Sequence, residues 1–182
     1  MFWYDERMPL ILISGISTSG KSTIRKELSK LGYEAYDTEH NGISAWFNKK
    51  TSERAAEFGE ISHKPIGWLD EHEWRISVEW VRNIALKAKD APIFLCGGAS
   101  NIADVISFCS VVIWLQTDEV TIRKRVNNPR DHDYGTRPHE LSKIIRENKL
   151  QEADYRSFDA KMVDATQDLA DVMRGVLKIM PS

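Results

Sequence analysis

Lys21 and Ser22 end the run Gly15-Ile-Ser-Thr-Ser-Gly-Lys-Ser22, which matches the phosphate-binding pattern G-x-x-x-x-G-K-[ST] at every fixed position. The physical demand behind the pattern is severe. Successive backbone N–H groups must turn inward around a polyphosphate, so side chains are absent where the chain bends tightest, at Gly15 and Gly20. Lys21 can then reach the β- and γ-phosphates of a nucleoside triphosphate, and the Ser22 hydroxyl can ligate Mg²⁺. Ser17, Ser19 and Thr23 complete the expected nucleotide-contacting set.

Such a loop works only between a strand and a helix. Met8-Pro-Leu-Ile-Leu-Ile-Ser14 is a short apolar run of the kind that forms a buried parallel strand. After the loop, Ile24, Leu28 and Leu31 recur at helical spacing, and Gly32 stands where a C-terminal stop belongs. The helix N-terminus adds partial positive charge beneath the phosphates.

The rest of the chain supplies the elements that must hold this unit. A second strand fits Tyr33–Tyr36 and ends at Asp37-Thr38-Glu39. Residues 40–69 lose clear periodicity while carrying Trp46, Phe47 and Trp68 among polar groups, with Gly42, Gly59, Pro65 and Gly67; an insertion this long is expected to contain short helices. Asp70-x-x-Glu73 reads as a capped helix start, with Trp74, Val78, Val81, Ala85 and Ala88 on one face. On that helix Arg75 and Arg82 stand one heptad apart, where either could bind an acidic acceptor or simply be solvated.

Pro92–Cys96 is a third strand, followed by Gly97-Gly98 and a short helix near 101–107. Ser110–Leu115 is a fourth strand, and Asp118 caps a helix running to Val126. Residues 127–137 are polar and turn-rich, and Pro138 opens a long helix to Tyr155. Lys161–Asp164 fits a fifth strand, and Leu169, Val172, Met173, Val176 and Leu177 share one face of a last helix. Strands alternating with helices predict a doubly wound, three-layer α/β fold around a five-stranded parallel sheet. Ligands of such sheets gather at the carboxyl ends of the strands, which here collect Gly15–Ser22, Asp37–Glu39, Gly97-Gly98, Gln116-Thr117 and Ala165-Thr166.

Composition narrows the partners. A chain of 182 residues with 42% hydrophobic content is expected to form one soluble domain. The net charge of −2 shows no basic surplus, which counts against nucleic acid as the main partner without excluding a local basic groove. No apolar stretch approaches the roughly 18 residues of a membrane span, and residues 1–7 lack the form of a signal peptide. Cys96 and Cys109 adjoin apolar runs and read as small buried hydrophobes, which suits a cytoplasmic protein. His63, His72 and His139 show no paired ligand spacing, and His132 falls in the lid, where a solvated role outweighs a functional one.

The supporting acid separates the chemistries open to a phosphate loop. Motors and many switches place an Asp at the end of a later apolar strand, but here the third strand ends in Cys96-Gly97 and the fourth in Gln116-Thr117. The strand-terminal carboxylates beside the loop are Asp37 and Glu39. On these features the chain resembles the nucleoside monophosphate kinase and shikimate kinase group of P-loop kinases. The resemblance spans nearly the whole length, with the phosphate loop its one highly specific motif. Asp37-Thr38-Glu39 looks like the Asp-x-Asp of shikimate-type kinases, which implies that Asp37 supports Mg²⁺ through water and Glu39 lies near the acceptor hydroxyl. Gly97-Gly98 is similar to a glycine run that contacts the acceptor. Arg130 and Arg137-Pro138 resemble lid arginines, and Val163-Asp-Ala-Thr-Gln167 resembles the segment passing the adenine, with Thr166 as a contact. Either Arg123 or Arg125 could supply the guanidinium that stacks on the base, Arg125 being preferred. The lid has no cysteines, so it is not of the zinc-bearing adenylate kinase type, and residues 40–69 match no acceptor signature.

These features together predict an ATP- and Mg²⁺-dependent kinase acting on a small-molecule acceptor, a nucleoside, nucleotide or small hydroxy-metabolite. Lys21, Arg130 and Arg137 would stabilise charge on the transferring group, and Asp37 would hold metal-bound water or take the acceptor proton. Trp46 and Phe47 could stack on an acceptor, though packing of the insertion is the simpler role. Two other readings remain: a kinase of nucleic-acid 5′ ends, and a nucleotide-dependent switch without an acceptor.

Overall fold

Period-two alternation in the apolar strands sets the architecture. In β1 (Leu10–Ser14), Leu10 and Leu12 enter one hydrophobic core while Ile11 and Ile13 enter another on the opposite face. The computed structural model describes residues 10–39, 42–57, 60, 65–88, 91–128 and 134–180. Strands β1, β2 (Glu34–Asp37), β6 (Ile93–Cys96), β7 (Val111–Gln116) and β8 (Lys161–Asp164) form one sheet in the order β2-β6-β1-β7-β8. Every neighbouring pair in it is parallel.

Helices cover both faces. One core packs Leu12, Leu95 and Trp114 against α3 (Val78–Lys87), α4 (Ile102–Ile106) and α6 (Pro138–Ser157). The other packs Ile13, Phe94 and Leu115 against α1 (Lys21–Lys30) and α7 (Leu169–Ile179). Each large side chain buried in these layers is worth about 1.5–3 kcal/mol. This is the doubly wound, three-layer α/β fold predicted from the alternation of strands and helices. β1 lies at the centre, where the strand order reverses, and such a switch point opens a crevice at the carboxyl edge. Among the described residues no helix is long and apolar enough to cross a membrane.

The insertion departs from expectation. Beside one short helix, its described residues and the segment that follows form a three-stranded antiparallel sheet of order β4-β3-β5, built from β3 (Ser44–Asn48), β4 (Arg54–Ala56) and β5 (His72–Ile76). Asn48 makes the hairpin turn, its Oδ1 accepting from the N–H groups of Lys50 and Thr51 at 2.9 and 3.1 Å. The single-turn α2 (Trp68–Glu71) ends before β5 begins, so Asp70 and Glu73 form no capping box.

The helix expected from residue 70 starts instead at Val78, and Ser77 is its N-cap, accepting from Trp80 N–H. Trp74 belongs to β5, where it packs on Trp46, which also meets Trp68, at ring-centroid distances of 5.2 and 5.0 Å. Arg75 and Arg82 therefore do not share a helix. Arg75 is ion-paired with Glu73 and lies over Phe47, while Arg82 on α3 lies over Phe108. Cross-strand pairing and tryptophan packing override the helical pattern here.

Moving the cap to Ser77 has a measurable consequence. Ser77→Ala should lower unfolding free energy by about 1 kcal/mol, whereas Asp70→Ala should change it by less than about 0.5 kcal/mol, as read by urea denaturation.

Candidate active site

The loop from Gly15 to Ser22 joins β1 to α1 through two left-handed residues, Thr18 at φ 77° and Gly20 at φ 102°. Only such a backbone turns successive N–H groups inward, and Gly20 adopts it at little cost. Gly15 is required for a different reason: a Cβ there would fall 2.5 Å from Ser19 Oγ and 3.1 Å from Leu115 Cβ. The Lys21 ammonium reaches back and donates to the carbonyls of Gly15 at 2.8 Å and Ile16 at 3.0 Å. Burial pushes its pKa down, while the charges of Glu39 and Asp37 oppose the shift. A half-buried lysine thus turns its ammonium into the loop with two carboxylates nearby. Ser19 is buried, Ser17 half-buried and Thr23 exposed.

The end of β2 meets the start of α1. Ser22 Oγ donates to Asp37 Oδ2 at 2.9 Å, and Glu39 N–H donates to Asp37 Oδ1 at 3.0 Å. Asp37 is buried and Glu39 half-buried. A hydroxyl beside a carboxylate is a hard-oxygen donor set, the kind Mg²⁺ accepts while keeping most of its ligands as water and substrate phosphate. Among the described residues no group of three or more His, Cys, Asp or Glu could hold a metal ion. Ser22 and Asp37 therefore fit a Mg²⁺ ion.

The glycine pair lies across from the same carboxylate. Gly97 N–H donates to Ile13 O, and Thr38 N–H donates to Cys96 O, so the strand ends continue into the site. Thr38 is fully buried, and a Cβ on Gly97 would overlap its hydroxyl and come within 2.8 Å of its Cβ. Sequence reasoning missed Thr38, whose signal was its place between two acids. The following residues fasten the insertion. Ser100 N–H donates to Trp74 O, and the Asn101 amide grips both Ile76 N–H and Ile76 O at 2.9 and 3.0 Å.

On the other side, Arg125 Nη2 donates to Ala165 O at 2.6 Å and Nη1 lies 3.4 Å from the carbonyls of Thr18 and Ser19. Arg125 thus ties the phosphate loop to the 164–167 turn, while Arg123 pairs with Glu119 on the exposed face of α5 (Glu119–Val126). Thr166 is exposed, and its N–H and hydroxyl both donate to Asp164 Oδ1. Arg137 is the N-cap residue of α6, with Pro138 at the first helical position. Arg130 and His132 lie outside the described residues, as do His63 and Gly59. A buried bond that no local pattern advertises joins Tyr155 on α6 to Ser14 at the end of β1, at 2.7 Å. Cys96 and Cys109 are free thiols, both pushed up by burial, Cys109 to about 12.

No family model and no curated protein matches the sequence. Solved structures do match. A shikimate kinase from Acinetobacter baumannii in complex with shikimate superposes with a TM-score of 0.64 at 21% identity, over 96% of this chain and 93% of that one. A deoxyadenosine kinase from M. mycoides, with dCMP and dCDP bound, gives 0.53 at 17% identity over 92% and 96%. A gluconokinase from Sinorhizobium meliloti gives 0.51 at 17% identity over 94% and 91%. The chain therefore has the fold of the P-loop small-molecule kinases.

Gly97 and Gly98 differ in how much room they have, and substitution should separate them. Gly97→Ala must displace Thr38 and should cost about 1–3 kcal/mol of stability. Gly98→Ala, whose Cβ would stand 3.2 Å from Ser14 Oγ, should cost clearly less. Thermal unfolding of the two variants checks the order.

Proposed function

We propose that this chain is an ATP-dependent kinase that moves a γ-phosphoryl group to a hydroxyl or phosphate of a small molecule, a nucleoside, a nucleotide or a small hydroxy-metabolite. The observation that carries the reading is the bond from Ser22 Oγ to Asp37 Oδ2. It joins the phosphate loop to a carboxylate on β2, the far edge of the sheet, and leaves no acid needed at the ends of β6 or β7. The fold shared with kinases of shikimate, gluconate and deoxyadenosine supports the same class.

In this reading the loop N–H groups bind the phosphates, and Lys21 supplies positive charge where charge spreads over the transferring oxygens. Ser22, with Asp37 behind it, would hold Mg²⁺, whose charge would offset that of the phosphates. Asp37 has both oxygens engaged by hydrogen bonds, which suits it to orienting the metal side of the site. Glu39, one turn farther out and near Lys21, is the carboxylate assigned to the acceptor hydroxyl. Gly97 and Gly98 bring bare backbone to the acceptor, and the β3–β5 sheet, fixed to them through Asn101 and Ser100, encloses it. Arg125 orders the turn beside the base, and Arg130 and Arg137 belong to a lid that excludes water, since an open site would spend ATP on hydrolysis.

Acceptor-stimulated ADP release should be screened with nucleosides, nucleotides, small hydroxy-acids and sugars, and a 5′-hydroxyl oligonucleotide. Stimulation by a small molecule supports the reading, and stimulation by the oligonucleotide alone, or by nothing while ATP binds, overturns it. With that acceptor, Asp37→Asn should lower kcat about 10²-fold or more while changing ADP affinity far less, as read by steady-state kinetics and calorimetry.

A further inference from the structure

Glu140 is a carboxylate that the proposed chemistry does not use, and only 5% of it is exposed. It occupies the third position of α6, where a Glu side chain usually returns to the N–H of its own N-cap residue. Here Oε2 accepts instead from Gly135 N–H at 2.9 Å, two residues before the N-cap Arg137. Gly135 is itself pinned. Its φ is 97°, and a Cβ on it would stand 2.6 Å from Ile144 Cδ1 and 2.8 Å from Val126 Cγ2. From the other side, Arg137 O accepts from Leu141 N–H at 2.9 Å, the first turn of α6.

Arg137 is therefore set between two fastened points. The cluster that fastens them includes the phosphate loop, because Ile144 and Ile122 share a small buried core with Ile16, the second residue of the loop. Tyr134, Leu141 and Ile145 pack against that core.

We propose that Glu140 is a positioning residue for Arg137. By holding Gly135 N–H it fixes the two-residue step from Gly135 to Arg137 on the core that Ile16 enters, and so sets Arg137 relative to the phosphate loop. Loss of the carboxylate leaves a buried N–H without its partner and lets the step relax. A small misplacement of a charge-stabilising arginine is enough to slow transfer. The inference rests on the reading of Arg137 as a lid arginine in a kinase.

The test is a double-mutant cycle on phosphoryl transfer to the acceptor that the screen above selects, with acceptor-stimulated ADP release as readout. Glu140→Ala should lower kcat about tenfold, with KM for MgATP changed by less than about twofold. Arg137→Ala should lose at least as much, and the double variant should be no slower than Arg137→Ala alone, which a merely structural role would not produce. Glu140→Gln, which keeps an acceptor oxygen, should restore most of the turnover. Glu140→Asp keeps the charge but falls short of Gly135, and it carries the same cycle if Glu140→Ala does not fold. Losses that multiply in the double variant, or native turnover in Glu140→Ala, overturn the role of Glu140 alone. A native chain whose ADP release no acceptor of that screen stimulates overturns the kinase reading, and with it this role.

Discussion

The conformation of one loop constrains the molecule. Thr18 stands in the left-handed region at φ 77°, a placement that costs a side-chain-bearing residue about 1–2 kcal/mol. Its neighbours must hold it there. Lys21 bonds the carbonyls of Gly15 and Ile16, Ser19 N–H bonds Ile16 O, Ser19 packs where Gly15 has no Cβ, and Arg125 faces the carbonyls of Thr18 and Ser19. Strain at a site, sustained by the surrounding structure, is a common sign of a pre-formed binding loop. The loop also sends Ile16 into the core between α5 and α6, so its shape is tied to the elements that carry the lid.

From that loop the site spreads along the sheet edge. β1 has β6 on one side and β7 on the other, and both ends turn toward the loop: Gly97 N–H bonds Ile13 O, and Leu115 lies against Gly15. Asp37 reaches the loop from β2 through Ser22, and Ala165 reaches it from β8 through Arg125. Parallel strands make this convergence possible, because all five carboxyl ends share one edge. The half-buried Lys21 sits near the centre of that edge, its desolvation opposed by Glu39 and Asp37.

Much of this was legible in the chain. The phosphate loop is a set of backbone requirements written directly as glycines, and the three buried strands β1, β6 and β7 are short apolar runs bounded by turn residues. The helices α5 and α6 announce themselves through Asp118, which accepts from Thr121 N–H, and through Pro138 at the first helical position. The insertion was not legible. Over His72–Ile76 the apolar residues Trp74 and Ile76 alternate as a strand requires, yet Trp74 also falls in register with Val78 and Val81 as a helix requires. Five residues are too few to separate the two periods, and the partner that decides between them, β3, lies a loop and a hairpin away. Contacts across the fold were equally hidden: nothing near Tyr155 points to Ser14, 141 residues distant. Glu140 lies between these cases. Its helix position marks it as a capping residue, but Gly135 as its target follows only from the packing of Val126 and Ile144.

The central claim is that the 15–22 loop delivers phosphate to an organic acceptor. It is tested most directly by following label from γ-labelled ATP into acceptor and into inorganic phosphate, with the native chain and with folded Lys21→Ala. The account predicts labelled acceptor from the native chain and a loss of about 10²-fold or more in Lys21→Ala. Label found only in inorganic phosphate, or transfer unchanged without the Lys21 ammonium, would contradict it.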